Sequence, residues 1–472
     1  MKKEIAIIGG GIAGASLALY LSKLGLSVTL FEKKKSLVDG PPICHLHAGG
    51  NLYREISDEQ CITLLKESIE LIQLYPCAVD FRPTVIAVPV EDSGEPQDLY
   101  ARLERLKNEY AKLIEEDSKN RVLGSPDEYY KLYSKEQLEE LQKREPLTRP
   151  ISFDEWMIPV VKTVDLSKVK FPLIMVQEYG LNIFRLAATT SLSLQNTDAK
   201  LLLNTYVSHV TKEGEGFLLE YKMADEPMKS KRVDFLINAA GFKSGEIDDM
   251  LGFYRERFVE FKAAYVTKWK SDAIWPELIF YGERGTPQGM AQFTPYPDGY
   301  FQLHGMTEEI TLFEDGLVKS HKESAQPQLS QKYLNKIYKG WCQQDVEKRS
   351  KLAIEHLCKF IPNFCDAKVA AKPLYGAQQI PGGDATLRAA NVSFEGKNYA
   401  RCEIVKASSV LSVADAVTLK LIELNFIEKN LYKKRVMNYL REEDVTSYAE
   451  ALCAERGYPT SMAQRYNNSL IL

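Results

Sequence analysis

The chain has 472 residues, 45% hydrophobic and 26% charged, with a formal net charge of −4. That length suits two or three domains with ample core, and the composition is ordinary for a globular protein. The weak negative balance and the lack of a long basic run exclude a nucleic-acid footprint, and no apolar span reaches transmembrane length. The first strand begins within four residues of the N-terminus, so no signal peptide is expected. Eight scattered cysteines without a CxxC pair predict reduced, buried thiols, a cytoplasmic setting and no metal site.

Ile5 to Ile8 form an unbroken apolar run, as in a strand buried on both faces of a parallel sheet. Gly9, Gly11 and Gly14 come next with GxGxxG spacing. The first glycine permits a tight turn, the second lets backbone approach a pyrophosphate, and the third lets helix and strand pack closely. Ile12 and Ala13 open the helix, whose N-terminal amides point at the anion. A second strand, Val28 to Phe31, ends at Glu32, eighteen positions after Gly14, with Lys33 beside it. The Glu32 carboxylate can take both hydroxyls of an adenosine ribose. A strand before, a helix after and an acid downstream make this an ADP-containing dinucleotide site rather than an unliganded glycine turn.

The next loop holds His45, His47, Gly49, Gly50 and Arg54. In a nucleotide-binding fold it lies near the ligand crevice, so His47 is a candidate to face the reactive ring. A satisfied structural histidine is the alternative, and is preferred for His45. A helix is expected over 57–74 and a strand pair over 81–90, broken by Pro83. Leu99, Leu103, Leu106, Tyr110 and Leu113 make an amphipathic helical stripe, and a second charged helix is expected around 135–143. This segment, 96–147, reads as a helical insertion capping a second domain. Beyond it come a helix over 182–194, a short strand at 200–203, a hairpin over 204–221, and a buried strand from Val233 ending in Ala239, Ala240 and Gly241.

Taken in order, the glycine turn, Glu32, the segment 204–210 and the segment 235–252 resemble the FAD-dependent oxidoreductases built like D-amino-acid oxidase and glycine oxidase. The resemblance implies an α/β fold: a discontinuous, Rossmann-like parallel-sheet FAD domain, an inserted, mostly antiparallel α+β substrate domain, and a helical insertion. It divides the chain into FAD-domain segments 1–80, 176–255 and 371–425, substrate-domain segments 81–175 and 256–370, and a helical tail 426–472. It places Val207 at the adenine, and Ala240 and Gly241 near the pyrophosphate. No second GxGxxG occurs, which disfavours the class that binds FAD and a nicotinamide in two such folds. Residues 257–265, 296–304, 375–379, His47-Ala48-Gly49 and 406–415 are similar to segments of L-2-hydroxyglutarate dehydrogenases and oxidases. In that likeness Ser408 and Ser409 open a helix suited to the flavin's ring oxygen. Lys262 stands where that group carries an arginine, and the group has another arginine close to Gln378.

The implied chemistry is hydride transfer to FAD from a small molecule, which needs an anion anchor and, for an alcohol, a base near neutral pKa. His47 and His304 are the candidate bases, with Lys262, helped by Arg54, the candidate anchor. An ordinary strand histidine and a salt-bridged lysine are the alternatives; covalent attachment of flavin to His47 is a further one. The leading expectation is oxidation of a small 2-hydroxy acid, with quinone or oxygen as electron acceptor. An amino-acid or secondary-amine oxidase, a binding module without catalysis and a monooxygenase are the other readings. Residues 419–440, with Lys433, Lys434 and Arg435, are expected to pack as an amphipathic helix, with membrane contact at most peripheral.

Overall fold

The computed structural model describes residues 3–466 apart from 44, 55, 225, 389 and 433–438. Its centre is the strand Glu4–Ile8, where Ile5 to Ile8 are apolar on both faces because both are covered. Two strands flank it in parallel: Ser27–Phe31 and Phe235–Asn238, with Ile8 opposite Phe31 and Asn238. Lys200–Leu202 extends the sheet on one side, Tyr399–Glu403 and the antiparallel edge Asn391–Glu395 on the other. The helix Ile12–Lys23 is buried along almost its whole length and packs beside the helix Val410–Glu423, with Tyr20 donating to Asp415 at 2.9 Å. Ser57 caps the helix Asp58–Leu74 by accepting from the Gln60 amide, and Asp58 and Glu59 complement its positive end.

A large mixed sheet carries a second core. Its long strand Arg257–Lys268 pairs antiparallel with Tyr300–Gly305 and Leu374–Pro381, and Glu277–Phe280 runs parallel to Thr84–Ala87. A hairpin of Thr205–Glu213 and Gly216–Met223 stands beside the parallel sheet. The two large sheets meet at buried ions. Arg257 donates to Glu403 at 2.8 Å and also pairs with Asp248; Arg401 donates to the same Asp248 at 2.6 Å, as does the Tyr399 hydroxyl at 2.7 Å.

Several expectations change. The stripe of the helix Tyr100–Glu116 buries Leu103, Leu106 and Tyr110 in a core shared by Cys61, Leu64 and Leu65 of the helix Asp58–Leu74 and by Ile86, Ile174 and Ile279 of the large sheet. Only the next helix, Lys135–Gln142, joins the second core, through Leu138 and Leu141. A stripe shows that a face is covered, not what covers it. The pair expected at 81–90 is one strand, Thr84–Ala87, because Pro83 starts it instead of interrupting it. Residues 374–381 still belong to the large sheet, so the chain returns to the parallel sheet later than residue 371. The helix expected through 440 ends at Glu423, where Asn425 turns left-handed at φ 56°; Lys433, Lys434 and Arg435 lie outside the described residues. Cys358 and Cys365 are joined as a disulfide, against the expectation of reduced thiols. Among the described residues no helix is long and apolar enough to cross a membrane.

Asp248 neutralises two buried guanidinium groups. Replacing it by Asn leaves them under-compensated and is expected to cost about 3–5 kcal/mol, read as a lowered midpoint in thermal unfolding.

Candidate functional site

The glycine turn is shaped by contact on one side and openness on the other. A Cβ at Gly9, which has φ +108°, would lie 2.3 Å from the Ala239 carbonyl oxygen, and one at Gly14 would lie 1.9 Å from that of Gly9. At Gly11 and Gly241 a Cβ would meet nothing within 4 Å. Gly11 caps the helix Ile12–Lys23 without any side-chain hydrogen bond, and no acid occupies its first turn. Its amides are therefore left for an anion. Glu32 is pinned at the turn: its carboxylate accepts from the Gly10 amide at 2.5 Å and the Lys34 amide at 2.7 Å.

Three cavities share these walls. One of about 220 Å³ lies between Glu32, Lys33, Val207, Ala240 and Tyr338. A second, about 570 Å³, runs over Gly9, Gly11, Lys34, Gly241 and Tyr375. A third, about 160 Å³, continues past Ile12 and Ala13 to Gln378, Lys406 and Ala407. Lys33 reaches the first, its ammonium 5.3 Å from the Phe242 ring and 5.2 Å from that of Tyr338, and burial lowers its pKa. An elongated dinucleotide fits this path: a carboxylate at one end, unsatisfied amides in the middle, and a lysine and histidine at the far end.

Beyond that end the structure gathers His47, His304 and Lys262. His47 sits at φ 60°, with Nε2 3.2 Å from Lys406 Nζ and Nδ1 buried. Burial, then the Lys406 charge, then His45 hold its pKa well below the ordinary value, so the ring is neutral. His304, opposite Gln292 in the sheet, is buried; that burial outweighs the pull of Glu277 and, with Lys262 and Lys406, lowers its pKa to about 4. Lys262 is engaged, its Nζ 2.8 Å from Glu260, which Arg284 also closes upon. Arg54 is turned away to Asp92 at 2.6 Å.

The serines differ from expectation. Ser409 donates to buried Glu67 at 2.7 Å, and Ser412 satisfies the other oxygen at 2.9 Å. That carboxylate draws Ser409 away from the cleft, while Ser408 is buried behind it; Val405, Lys406 and Ala407 line the cavity instead. Sequence reasoning missed Arg388 altogether. Its guanidinium donates to carbonyls of its own loop, at Ala385 and Leu387, and lies 5.8 Å from the Tyr53 ring. Among the described residues no carboxylate pairs with it, yet its charge reaches both His47 and Glu260. A lone arginine in a Gly-Gly-Asp-Ala-Thr loop carries no pattern that would have marked it.

His45, two residues from His47, is the opposite case. Its Nε2 lies 2.7 Å from Glu178, and its Nδ1 lies 3.4 Å from Glu277 without hydrogen-bond geometry. Burial opposes charge here, but Glu277 and Glu178 outweigh it and raise the pKa to about 9. Burial also opposes charge on Glu277, yet His45 and Arg82 hold its carboxyl near pKa 2, with Arg82 at 3.0 Å. Among the described residues no cluster could hold a metal ion.

Such a fold and such a path define a flavin-dependent oxidoreductase. The model of the FAD dependent oxidoreductase (DAO) family matches residues 4–370, and the chain belongs to that family. It is an enzyme, and FAD is its cofactor. No curated protein matches the sequence. Among solved structures it is similar to glycine oxidase from Geobacillus kaustophilus, at 12% identity and TM-score 0.55, covering 93% of this chain and 100% of that one. L-amino acid deaminase from Proteus vulgaris shows 12% identity and TM-score 0.58, over 94% and 96%. Dithionite-reduced L-alpha-glycerophosphate oxidase from Mycoplasma pneumoniae, with FAD bound, shows 15% identity and TM-score 0.56, over 93% and 98%. At these identities the likeness is one of fold.

Gly11→Ala meets no protein atom, so the variant is expected to fold with an unchanged apoprotein melting temperature while FAD affinity falls about tenfold or more, measured by fluorescence titration. Gly14→Ala should instead lose the folded protein.

Stability is expected to peak near pH 6.5. His45 has a folded pKa raised to about 9, so its contribution is complete below 6.5 and is lost as pH climbs through about 9. Glu277, depressed to about 2, contributes above 4.5 and loses that contribution as pH falls. His304, neutral down to about 4, adds to the acid loss, because the unfolded chain takes its proton near 6.5. Thermal unfolding across pH 4–10 checks this, and His45→Gln should flatten the alkaline limb.

Proposed function

We propose that the chain oxidises a small 2-hydroxy acid, with quinone or oxygen reoxidising the flavin, in the manner of the L-2-hydroxyglutarate dehydrogenase/oxidase branch. The parallel-sheet segments serve as the FAD domain and the large sheet as the substrate domain. Membrane contact is at most peripheral, and the setting cytoplasmic.

The observation that carries this reading is the charge pattern. Two imidazoles held neutral face a group of cations, Lys262, Arg284, Arg388 and Lys406, against which Glu260 supplies one negative charge. A substrate carboxylate suits such a pocket. Arg388, with donors directed at backbone carbonyls, can hold that carboxylate through two parallel N–H bonds. Lys262 then acts through Glu260 to shape the pocket and adds its charge. FAD, when bound, accepts the hydride from the substrate carbon.

His47 has one nitrogen for the proton. Lys406 has only donors to offer, so Nε2 presents a lone pair and the ring proton sits on buried Nδ1. A substrate hydroxyl taking the place of Lys406 removes a cation that helps hold the ring's pKa below the near-neutral range a base needs, and delivers its proton to Nε2. His304 flanks the same space from the large sheet, but with its pKa lowered to about 4 it lies below the near-neutral range a base needs. Glu32 and Lys33 hold the adenosine end, Val207 its ring, and the turn at Gly9, Gly11 and Gly14 with Ala240 and Gly241 the pyrophosphate.

An amino-acid or secondary-amine oxidase is the second reading, favoured by the glycine oxidase and amino acid deaminase likeness; a neutral amine gives up hydride without a base. Anaerobic titration of the FAD-loaded protein separates the two. Bleaching of the flavin by 2-hydroxy acids is expected, and Arg388→Gln should raise the half-saturating concentration about 10–100-fold. Bleaching by amino acids alone overturns the first reading.

A further inference from the structure

The loop 45–51 that carries His47 adopts a conformation it could not hold by itself. His47, Gly49 and Gly50 all lie in the left-handed region, at φ 60°, 109° and 63°. Glycine does this freely, whereas a histidine needs surrounding contacts that enforce it. Glu178, 1% exposed, supplies them at both ends of the loop. One carboxylate oxygen accepts from His45 Nε2 at 2.7 Å, and the other from the Asn51 amide at 2.9 Å and its side-chain Nδ2 at 2.6 Å. The helical insertion grips the same loop from outside. Tyr129 donates to the Ala48 carbonyl at 2.8 Å, and a Cβ at Gly49 would lie 2.5 Å from that hydroxyl. Arg102 extends the grip to the carbonyls of Tyr53 at 2.6 Å and Ile56 at 2.8 Å.

We infer that Glu178 is the positioning residue that sets His47 at the cleft, with Tyr129 and Arg102 of the insertion as its outer brace. This rests on the reading of His47 as the group that meets the substrate hydroxyl. Glu178 acts through His45 and Asn51. Without its carboxylate both ends of the loop are released, and Nε2 of His47 leaves its place beside Lys406. Substrate anchoring depends on Arg388, on a separate loop, and is untouched. The insertion accordingly serves the active site.

The test uses FAD-loaded, full-length Glu178→Gln and Tyr129→Phe. Two quantities are read: anaerobic flavin reduction by 2-hydroxyglutarate, and amide hydrogen exchange over residues 45–51. For Glu178→Gln the limiting rate should fall about tenfold or more while half-saturation stays within about twofold, and loop exchange should rise about tenfold. Tyr129→Phe should move both the same way to a lesser degree, and carries the test alone if Glu178→Gln does not fold. Unchanged exchange in the variants overturns the inference. So does an unchanged rate in Glu178→Gln when His47→Gln is slow. Faster exchange with full activity in both Glu178→Gln and His47→Gln upholds the clamp on the loop and overturns the reading of His47 instead.

Discussion

The structure depends on a contact between backbones. The helix Ile12–Lys23 can lean on its own strand because Gly14 has no Cβ to strike the Gly9 carbonyl, and the strand Phe235–Asn238 can run alongside because Gly9 clears Ala239. Parallel register brings the ends of three strands level, with Ile8, Phe31 and Asn238 side by side. The residues next in the chain after each strand end form the walls of the cleft: the glycine turn, Glu32, and Ala239 to Gly241. A ligand crevice at the carboxyl ends of parallel strands is the general result of this topology. Here the small residues decide how close its walls stand.

Two histidines, two positions apart, end in opposite protonation states. Both lose solvation, which by itself favours the neutral ring. His45 enters a space bounded by two carboxylates and keeps its proton; His47 meets an ammonium and loses it. The two rings stand edge to face, with centroids 4.8 Å apart. The charged ring in turn helps keep its neighbour neutral, so a buried ion network and a neutral imidazole belong to one electrostatic arrangement.

How much of this was legible depended on range in the chain. The turn at Gly9, Gly11 and Gly14 was readable because its constraints act within a few residues. Ser57 and Asn182 also announced their helices locally, as caps. Lys262 held a local clue to its partner: Glu260 is two residues away on one strand, hence on the same face, and the two pair. Ser409 was lost to Glu67, 342 positions away, and nothing local signals a buried carboxylate in need of donors. Arg388 has no carboxylate partner among the described residues, and only the assembled fold reveals that.

The parallel sheet is stitched from far-separated pieces: its central strand, Glu4–Ile8, pairs on one side with Phe235–Asn238, which pairs in turn with Tyr399–Glu403. During synthesis the strand Glu4–Ile8 gains its neighbour Ser27–Phe31 early, but its other neighbour, Phe235–Asn238, is made much later. The nucleotide-binding turn has no second wall until Ala239 has been made, and the end of the path at Lys406 waits for most of the polypeptide. Until then an apolar amino-terminal stretch is exposed to the cell, a demand on chaperones that arises from connectivity rather than from chemistry.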